Sequence, residues 1–194
     1  MLASVVLDLL ALALDDEFSV HTPRALLLSH LSRAQQWVSL RYRVIRHTVT
    51  LPLVPTAPFV DLLVLVPRFF GVTHVALGGI PLAWAPYQSL RIRDPLWLQT
   101  PGTPTLYYRV GLRWLGLVPV PTVAGNLRVT GIVAPVPLLR EDQRLEVPDA
   151  YTNRLIAVST GLLLVTREHL VEEGLRRVAA GLGMAARQPE AVTA

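Results

Sequence analysis

The sequence of 194 residues contains no cysteine, and all 18 of its basic residues are arginine, so lysine is absent as well. Without cysteine the chain can form neither a disulfide nor a zinc site built on thiolates. The arginine bias, together with abundant Ala, Leu, Val, Pro and Gly, is typical of a GC-rich coding sequence. The absence of cysteine fits any cellular compartment.

Charged side chains are also scarce. They make up 16% of the residues, whereas hydrophobic side chains make up 52%, against roughly 25% charged residues in an average soluble protein. A monomer of this composition would have difficulty covering its apolar surface, so we expect the chain to bury part of it against copies of itself. The length suits one folding unit, or a helical domain that carries an inserted β module.

Long uninterrupted apolar runs are missing too. The most apolar stretches are broken by Pro, Asp or Arg, and none reaches the roughly 18 uncharged residues of a membrane helix. The first 14 residues have no basic start and carry Asp8, and the acidic Asp15, Asp16 and Glu17 follow them. A secretory signal has the opposite features. We therefore expect no membrane span and no export.

Two helices are predicted near the N-terminus. Residues 2–14 are apolar on nearly every side except at Ser4 and Asp8, which is typical of a helix buried on several faces. Residues 23–43 begin with a capping pair, Thr22 and Pro23. The second helix has one apolar stripe at helical spacing, formed by Leu27, Leu31, Ala34 and Val38.

Residues 48–137 are rich in β-branched and aromatic residues and are punctuated by Pro and Gly, which favours short strands. The predicted strands are residues 48–54, 61–66, 72–77, 105–113 and 127–133. Gly78 with Gly79, and Gly125 with Asn126, are predicted turns. Residues 87–97 fit either a helical turn or a loop.

Helical periodicity returns after Pro148 and Asp149. An apolar band formed by Leu155, Ile156, Leu162 and Leu163 predicts one helix, and Thr166 is a predicted cap for the next. That last helix has an apolar stripe formed by Val171, Leu175, Val178 and Leu182.

The predicted fold class is therefore α+β. A helical bundle formed by the N- and C-terminal helices, residues 1–47 and 138–187, carries an inserted antiparallel β module, residues 48–137, arranged as a small barrel or sandwich. Residues 188–194 contain a proline and no large apolar residue, so we expect them to form a flexible tail.

Strong catalytic motifs are absent. The sequence has no G-x-S-x-G, no G-x-x-x-x-G-K-[ST] and no H-E-x-x-H pattern. The five histidines, which lack the spacing of metal ligands, are His21, His30, His47, His74 and His169. Adjacent acids at residues 15–17, 141–142 and 172–173 could supply glycan hydrolysis, but such pairs more commonly lie on solvated faces. We predict no metal, no cofactor and no catalytic residues.

The segment between Glu17 and Asp61 contains five arginines and no acid, a local charge of +5. These are Arg24, Arg33, Arg41, Arg43 and Arg46, with Trp37 and Tyr42 interleaved. Such a face suits single-stranded nucleic acid. It equally fits a solvated helix face or one that meets an acidic partner subunit. No motif for reading bases is present, so sequence-specific binding is not expected.

Several short motifs occur in an order that resembles one known family. The second helix contains Ala34-Gln35-Gln36-Trp37, and prolyl strands follow at Leu51-Pro52-Leu53 and Val66-Pro67. Then come Asp94-Pro95-Leu96-Trp97, Gly102-Thr103-Pro104-Thr105, Leu117-Val118-Pro119 and Val147-Pro148-Asp149. Over residues 3–185 this series resembles the head-to-tail adaptor, or connector, proteins of tailed phages. Residues 161–164 depart from the usually charged last helices of that family.

The resemblance implies a structural virion protein of the phage neck, made in the host cytoplasm and without enzymatic activity. It implies a homo-oligomeric ring, commonly of twelve subunits, between the portal protein and a tail or nozzle protein, with DNA contacted non-specifically in the channel. The alternatives are another neck or tail-completion protein, a virion-associated cell-wall hydrolase using Asp142 or Glu172, and a host nucleic-acid-binding protein.

Three sets of residues are candidates for these contacts. The face towards DNA or an acidic partner is predicted at Arg33, Arg41, Arg43 and Arg46. The portal-docking residues are predicted to be Arg176, Arg177, Arg187 and Gln188. The seam between subunits is predicted on the first two helices, at Leu7, Leu10, Leu27, Leu31 and Trp37.

Overall fold

The computed structural model describes residues 1–14, 22–166 and 170–184. The chain divides into a helical unit, Met1–Ile45 with Pro135–Ala194, and a β unit, Arg46–Ala134. The fold is α+β, as the sequence predicts, because helices from both ends of the chain form one unit and antiparallel strands form the insertion. Among the residues described, no helix is long and apolar enough to cross a membrane.

The elements are numbered in chain order. The helices are α1 (Ala3–Ala13), α2 (Arg24–Tyr42), α3 (Leu62–Leu65), α4 (Tyr87–Arg93), α5 (Thr152–Val165) and α6 (Val171–Gly181), with a 3₁₀ turn at Asp149–Tyr151. The strands are β1 (Arg46–Leu53), β2 (Phe59–Asp61), β3 (Phe69–Leu77), β4 (Ile80–Pro81), β5 (Ala83–Trp84), β6 (Pro101–Gly102), β7 (Leu106–Val110), β8 (Trp114–Val118), β9 (Val120–Pro121) and β10 (Gly125–Val133).

Helix α5 is the centre of the helical unit, since α1, α2 and α6 all pack against it. Its buried side chains include Leu155, Val158 and Leu163. The predicted stripe on α2 is confirmed, because Leu27, Leu31, Ala34 and Val38 all lie in this core. The buried Gln35 ties α2 to the chain that returns from the β unit, since its amide donates to the Val136 carbonyl and accepts from the Glu146 backbone N–H.

The ends of α2 differ in part from the prediction. Pro23 occupies the N-cap position, and Thr22 makes no capping hydrogen bond: its hydroxyl is buried without a partner in the part of the chain that the structure describes. At the other end Arg43 adopts a left-handed conformation, with φ of 53°, which terminates the helix.

Helices α5 and α6 approach each other through glycines rather than through the predicted apolar stripe. Val178 is buried, but Val171 and Leu175 are exposed. Gly161 on α5 lies directly against Gly174 on α6, because a Cβ on Gly161 would come within 2.6 Å of the Gly174 carbonyl oxygen.

Thr166 does not cap the last helix as predicted. It is the C-cap of α5, and its hydroxyl donates to the Leu163 carbonyl. Leu170 occupies the N-cap position of α6 instead.

The β unit contains two four-stranded sheets and one pair of short strands. The first sheet has the order β1-β10-β3-β4, the second has the order β2-β8-β7-β5, and β6 pairs with β9. All neighbours in the first sheet are antiparallel, while β5 with β7 and β6 with β9 are parallel. Within residues 46–134 neither sheet closes into a barrel, which fits a small sandwich.

The predicted strands 48–54, 72–77 and 127–133 are confirmed as β1, β3 and β10. The prediction for residues 61–66 is wrong, because the Asp61 carboxylate accepts from the Leu63 backbone N–H and begins the short helix α3. Gly125 and Asn126 lie inside β10 rather than in a turn, and β8 was not predicted. Residues 87–93 form the helix α4.

The central strands of the second sheet are buried on both faces. Leu115 and Leu117 lie on one face, while the ring of Tyr108 covers Gly116 on the other. The ring centroid of Trp97 lies 4.7 Å from that of Tyr108 in an edge-to-face arrangement. This double burial explains why β8 lacks the apolar–polar alternation of a half-exposed strand.

Candidate interaction surfaces

Helix α1 has two apolar faces. Ala3, Val6, Leu7 and Leu10 are fully buried in the core of the helical unit. Leu7 and Leu10 were predicted to form the seam between subunits, and that prediction is wrong, because their side chains already pack inside their own chain. The opposite face is apolar and solvent-exposed: Leu2, Val5, Leu9 and Leu12, which are between 39% and 73% exposed.

The outer stripe of α1, defined as Leu2, Val5, Leu9 and Leu12, repeats at intervals of three, four and three residues. This is the spacing of a heptad seam, in which one helix packs against another. The sequence contained this signal, but the buried residues of α1 have nearly the same spacing. Sequence alone could not decide which face of the helix points inwards.

Helix α2 also has an exposed face opposite its core. Leu27 and Leu31 are buried in the helical unit, so the predicted seam is wrong at these two positions as well. Trp37 is 42% exposed, as a seam residue must be. The outer stripe of α2, at helical spacing, consists of Leu26, Ser29, Arg33, Trp37 and the half-buried Leu40.

Two of the N-terminal arginines have partners inside the helical unit. Arg24 donates to Asp8 at 3.0 Å and to Glu141 at 2.9 Å, and these hydrogen bonds raise its pKa. Arg41 donates from Nε to the Leu182 carbonyl at 3.1 Å, where a cation meets the negative end of the α6 dipole. Arg41 therefore stabilises the end of a helix.

The other three predicted cationic residues are exposed. Arg33, Arg43 and Arg46 have no side-chain hydrogen bond or ion pair to any residue that the structure describes. Arg33 lies in the middle of α2 and Arg43 directly after it, whereas Arg46 is the first residue of β1 and belongs to the β unit. The four predicted residues are thus divided between the two units.

The positive charge of the chain is concentrated in the β unit. Its 89 residues contain seven arginines and two acids, a net charge of +5, whereas the rest of the chain has eleven arginines and twelve acids, a net charge of −1. This division was not predicted, although counting charges within the module would have revealed it.

One face of the first sheet is exposed, cationic and rich in hydroxyls. The strand register places Thr48, Thr130 and His74 side by side, and the hydroxyls of Thr48 and Thr130 are 2.9 Å apart. Arg128 and Arg46 project from the same face about 13 Å apart, at roughly 3.3 Å per residue. This outer sheet face, defined by these five residues, contains no acidic side chain.

The predicted portal-docking residues lie at the C-terminal end of the chain. Arg176 and Arg177 are exposed on α6, and both form ion pairs with Glu173. Hydrogen bonds from Arg177 and Arg176 lower the pKa of Glu173. Arg187 and Gln188 lie outside the described residues, as do the predicted tail 188–194 and the acidic group 15–17.

An apolar cleft of about 540 Å³ opens on the second sheet of the β unit. Aromatic rings line it, among them Phe59 and Trp114, whose centroids are 6.4 Å apart. The guanidinium of Arg113 lies 4.9 Å from the Trp114 ring and pairs with Asp61. A cleft of this kind suits an apolar group of a ligand or of another protein.

Arginine pairs with two of the acidic residues in the groups at 141–142 and 172–173. A hydrogen bond from Arg140 lowers the pKa of Asp142, and hydrogen bonds from Arg177 and Arg176 lower the pKa of Glu173. A carboxyl group that is held ionised in this way is poorly suited to act as a general acid. No group of three potential metal ligands occurs within residues 1–14, 22–166 and 170–184.

His30 is a buried histidine that the sequence did not single out. It is 3% exposed on α2, and neither of its ring nitrogens has a hydrogen-bond partner among the described residues. Burial, with a smaller contribution from Arg33, lowers its pKa. The imidazole is therefore held neutral in the helical core.

Comparison with known families gives a match over most of the chain. The model of the family described as SU10 adaptor protein matches residues 1–160. This range includes α1, α2, the whole β unit and the first nine of the 14 residues of α5. No curated protein matches the sequence.

Proposed function

The chain belongs to the SU10 adaptor protein family, a family of phage head-to-tail adaptors, and from that premise we propose that its copies form a ring between the portal and the tail. The match over residues 1–160 is the observation that carries this proposal. As a phage adaptor the protein is a structural component of the virion. A ring, commonly of twelve subunits, would leave a central channel through which DNA passes.

The surface of the chain supports assembly. Large apolar side chains are exposed in both units, with Leu12 in the helical unit and Ile80 and Ile92 in the β unit all more than 70% exposed. So much uncovered apolar surface is unusual in a protein that stays monomeric. Contacts with neighbouring subunits, with the portal and with a tail or nozzle protein would cover it.

The outer sheet face of the β unit supports contact with DNA. Arginine and threonine side chains bind phosphate oxygens without reading bases, and this face carries both in a region of net positive charge. Non-specific contacts of this kind weaken with salt and would not halt DNA in transit. Arg33 and Arg43 remain candidates for the same role or for an acidic partner.

Portal docking is assigned to Arg176 and Arg177 on α6, together with Arg187 and Gln188 in the C-terminal segment. Exposed arginines on a helix surface suit an acidic surface on the portal. We further propose that the protein has no catalytic role and is synthesised in the host cytoplasm. The match to a family of structural adaptors supports the first of these statements.

Mass photometry of the purified chain, alone and mixed with the portal ring from the same genome, tests the proposal. We expect the portal to gain mass corresponding to one complete ring of adaptor subunits, about twelve chains of 21.4 kDa. A portal that gains no mass at any ratio of the two proteins would contradict it. Purified peptidoglycan, incubated with the same sample, provides the assay for the hydrolase alternative.

A further inference from the structure

We infer that the outer stripe of α1 in one subunit packs against the outer stripe of α2 in the next. The inference rests on the proposed ring, and it replaces the seam that the sequence suggested. The partner of each stripe is a second copy of this chain. The contact is heterologous, meaning that each subunit contributes two different surfaces, as a closed ring with more than two subunits requires.

The α1 stripe and the exposed part of the α2 stripe match in length. On α1 the stripe runs from the N-cap Leu2 to Leu12, about 15 Å, and on α2 the exposed residues of the stripe run from Leu26 to Trp37, about 16 Å, at 1.5 Å per residue. Apart from the half-buried Leu40, the residues of each stripe are exposed, whereas the residues with which its helix packs into its own unit are buried. Two helices with such stripes can pack along their whole length.

The two stripes also match in charge. Arg33 lies at the centre of the α2 stripe and has no partner in its own chain among the described residues. Asp8 borders the centre of the α1 stripe, one turn from Val5 and Leu12, and stays 67% exposed although it pairs with Arg24. Packing α1 on the α2 of a neighbour therefore brings Arg33, a cation without a partner among the described residues of its own chain, to an exposed carboxylate.

A contact between two copies of α1 fits less well. It would bring Asp8 towards Asp8 across a twofold axis, where like charges repel. It would also leave Trp37 and Arg33 uncovered, and a twofold contact closes a dimer rather than a ring.

Cysteine cross-linking tests the contact, because the chain contains no cysteine of its own. The variants are Leu9→Cys alone, Ser29→Cys alone and Gln36→Cys alone, and each α2 change combined with Leu9→Cys in one chain. Ser29 and Gln36 lie on either side of Arg33, so the pair covers both directions of helix packing. Rings assembled on the portal are treated with a short bis-maleimide and separated in denaturing gels.

We expect at least one double variant to give a ladder of covalent oligomers up to the full ring, while each single variant stays monomeric. Dimers from Leu9→Cys alone would show an α1–α1 contact and overturn the inference. Rings of full mass that yield no ladder would overturn the inference and leave the proposed function intact. If the unmodified chain never binds the portal, both the proposed function and the inferred contact are refuted.

Leu12→Glu provides a second measurement, with Leu139→Glu as its control. The two leucines are 73% and 79% exposed, so neither substitution buries a charge within the chain. Because one buried leucine contributes about a tenfold change in affinity or more, we expect Leu12→Glu to raise the concentration for half-assembly at least tenfold. Assembly of Leu12→Glu at the concentration of the unmodified chain would refute the contact.

Discussion

Replacing Gly161 with Ala tests how the last two helices are held together. A Cβ at this position would lie 2.6 Å from the Gly174 carbonyl oxygen and 2.8 Å from the Val178 backbone nitrogen, where ordinary contacts are 3.4–4 Å. The Val178 Cγ2 methyl would also lie 2.7 Å away, and although that side chain can rotate, the two backbone atoms can give way only if the helices separate. Overpacking of this kind costs about 1–3 kcal/mol.

Alanine also favours the helix by about 1 kcal/mol relative to glycine. We therefore expect a net loss of about 0–2 kcal/mol in the free energy of unfolding, or up to roughly 8 °C in Tm for a chain of this length. Urea denaturation followed by circular dichroism at 222 nm measures the loss. Ala180→Gly, at an exposed position on α6, calibrates the propensity difference without a packing change. A Gly161→Ala variant more stable than the unmodified chain would refute the close approach of α5 and α6.

Two further predictions concern charge. Burial lowers the pKa of His30 below its value of about 6.5 in the unfolded chain, so below about pH 7 the unfolded state binds more protons than the folded state. The free energy of unfolding therefore falls as the pH drops through 6.5 towards the folded pKa, by at most about 1.4 kcal/mol per pH unit. We expect His30→Leu to remove this pH dependence of stability, which urea titrations at pH 7.5 and 5.5 measure. The same pH dependence in the variant and in the unmodified chain would show that His30 is not its cause. For DNA, we expect Arg46→Ala with Arg128→Ala to reduce the slope of log K against log salt by about 2 in fluorescence anisotropy with duplex DNA. Arg140→Ala, which removes an arginine that pairs with Asp142, is the control, and a slope unchanged by the double variant would exclude the outer sheet face.

Local patterns in the sequence were sufficient for the main elements. The stripe of Leu27, Leu31, Ala34 and Val38 predicted α2 and its buried side, because only one face of that helix is consistently apolar. The β-branched texture after residue 48 predicted β1, β3 and β10, and the ordered motifs indicated the adaptor family. Each of these inferences depends on residues that are close together in the chain.

Where two local patterns competed, only the tertiary structure decided. Helix α1 is apolar on two faces, and the spacing of Leu7 and Leu10 is the same as that of Leu9 and Leu12. Only the contacts of α1 with α5 and with the chain near Glu141 show which of the two faces is buried. The stripe on α6 predicted that Leu175 packs against the rest of the helical unit. The small size of Gly161, Gly174 and Gly181 instead lets the backbones of α5 and α6 come into contact, and Leu175 is exposed.

The sequence by itself determined the fold class, the family, the absence of thiol chemistry and the excess of positive charge. Within the part of the chain that the structure describes, the tertiary structure decided which apolar residues are core and which are surface, and which arginines form ion pairs. The physical reason is that periodicity and composition are properties of neighbouring residues, whereas burial and ion pairing depend on residues far apart in the chain, as between Arg24 and Glu141 or between Arg41 and Leu182.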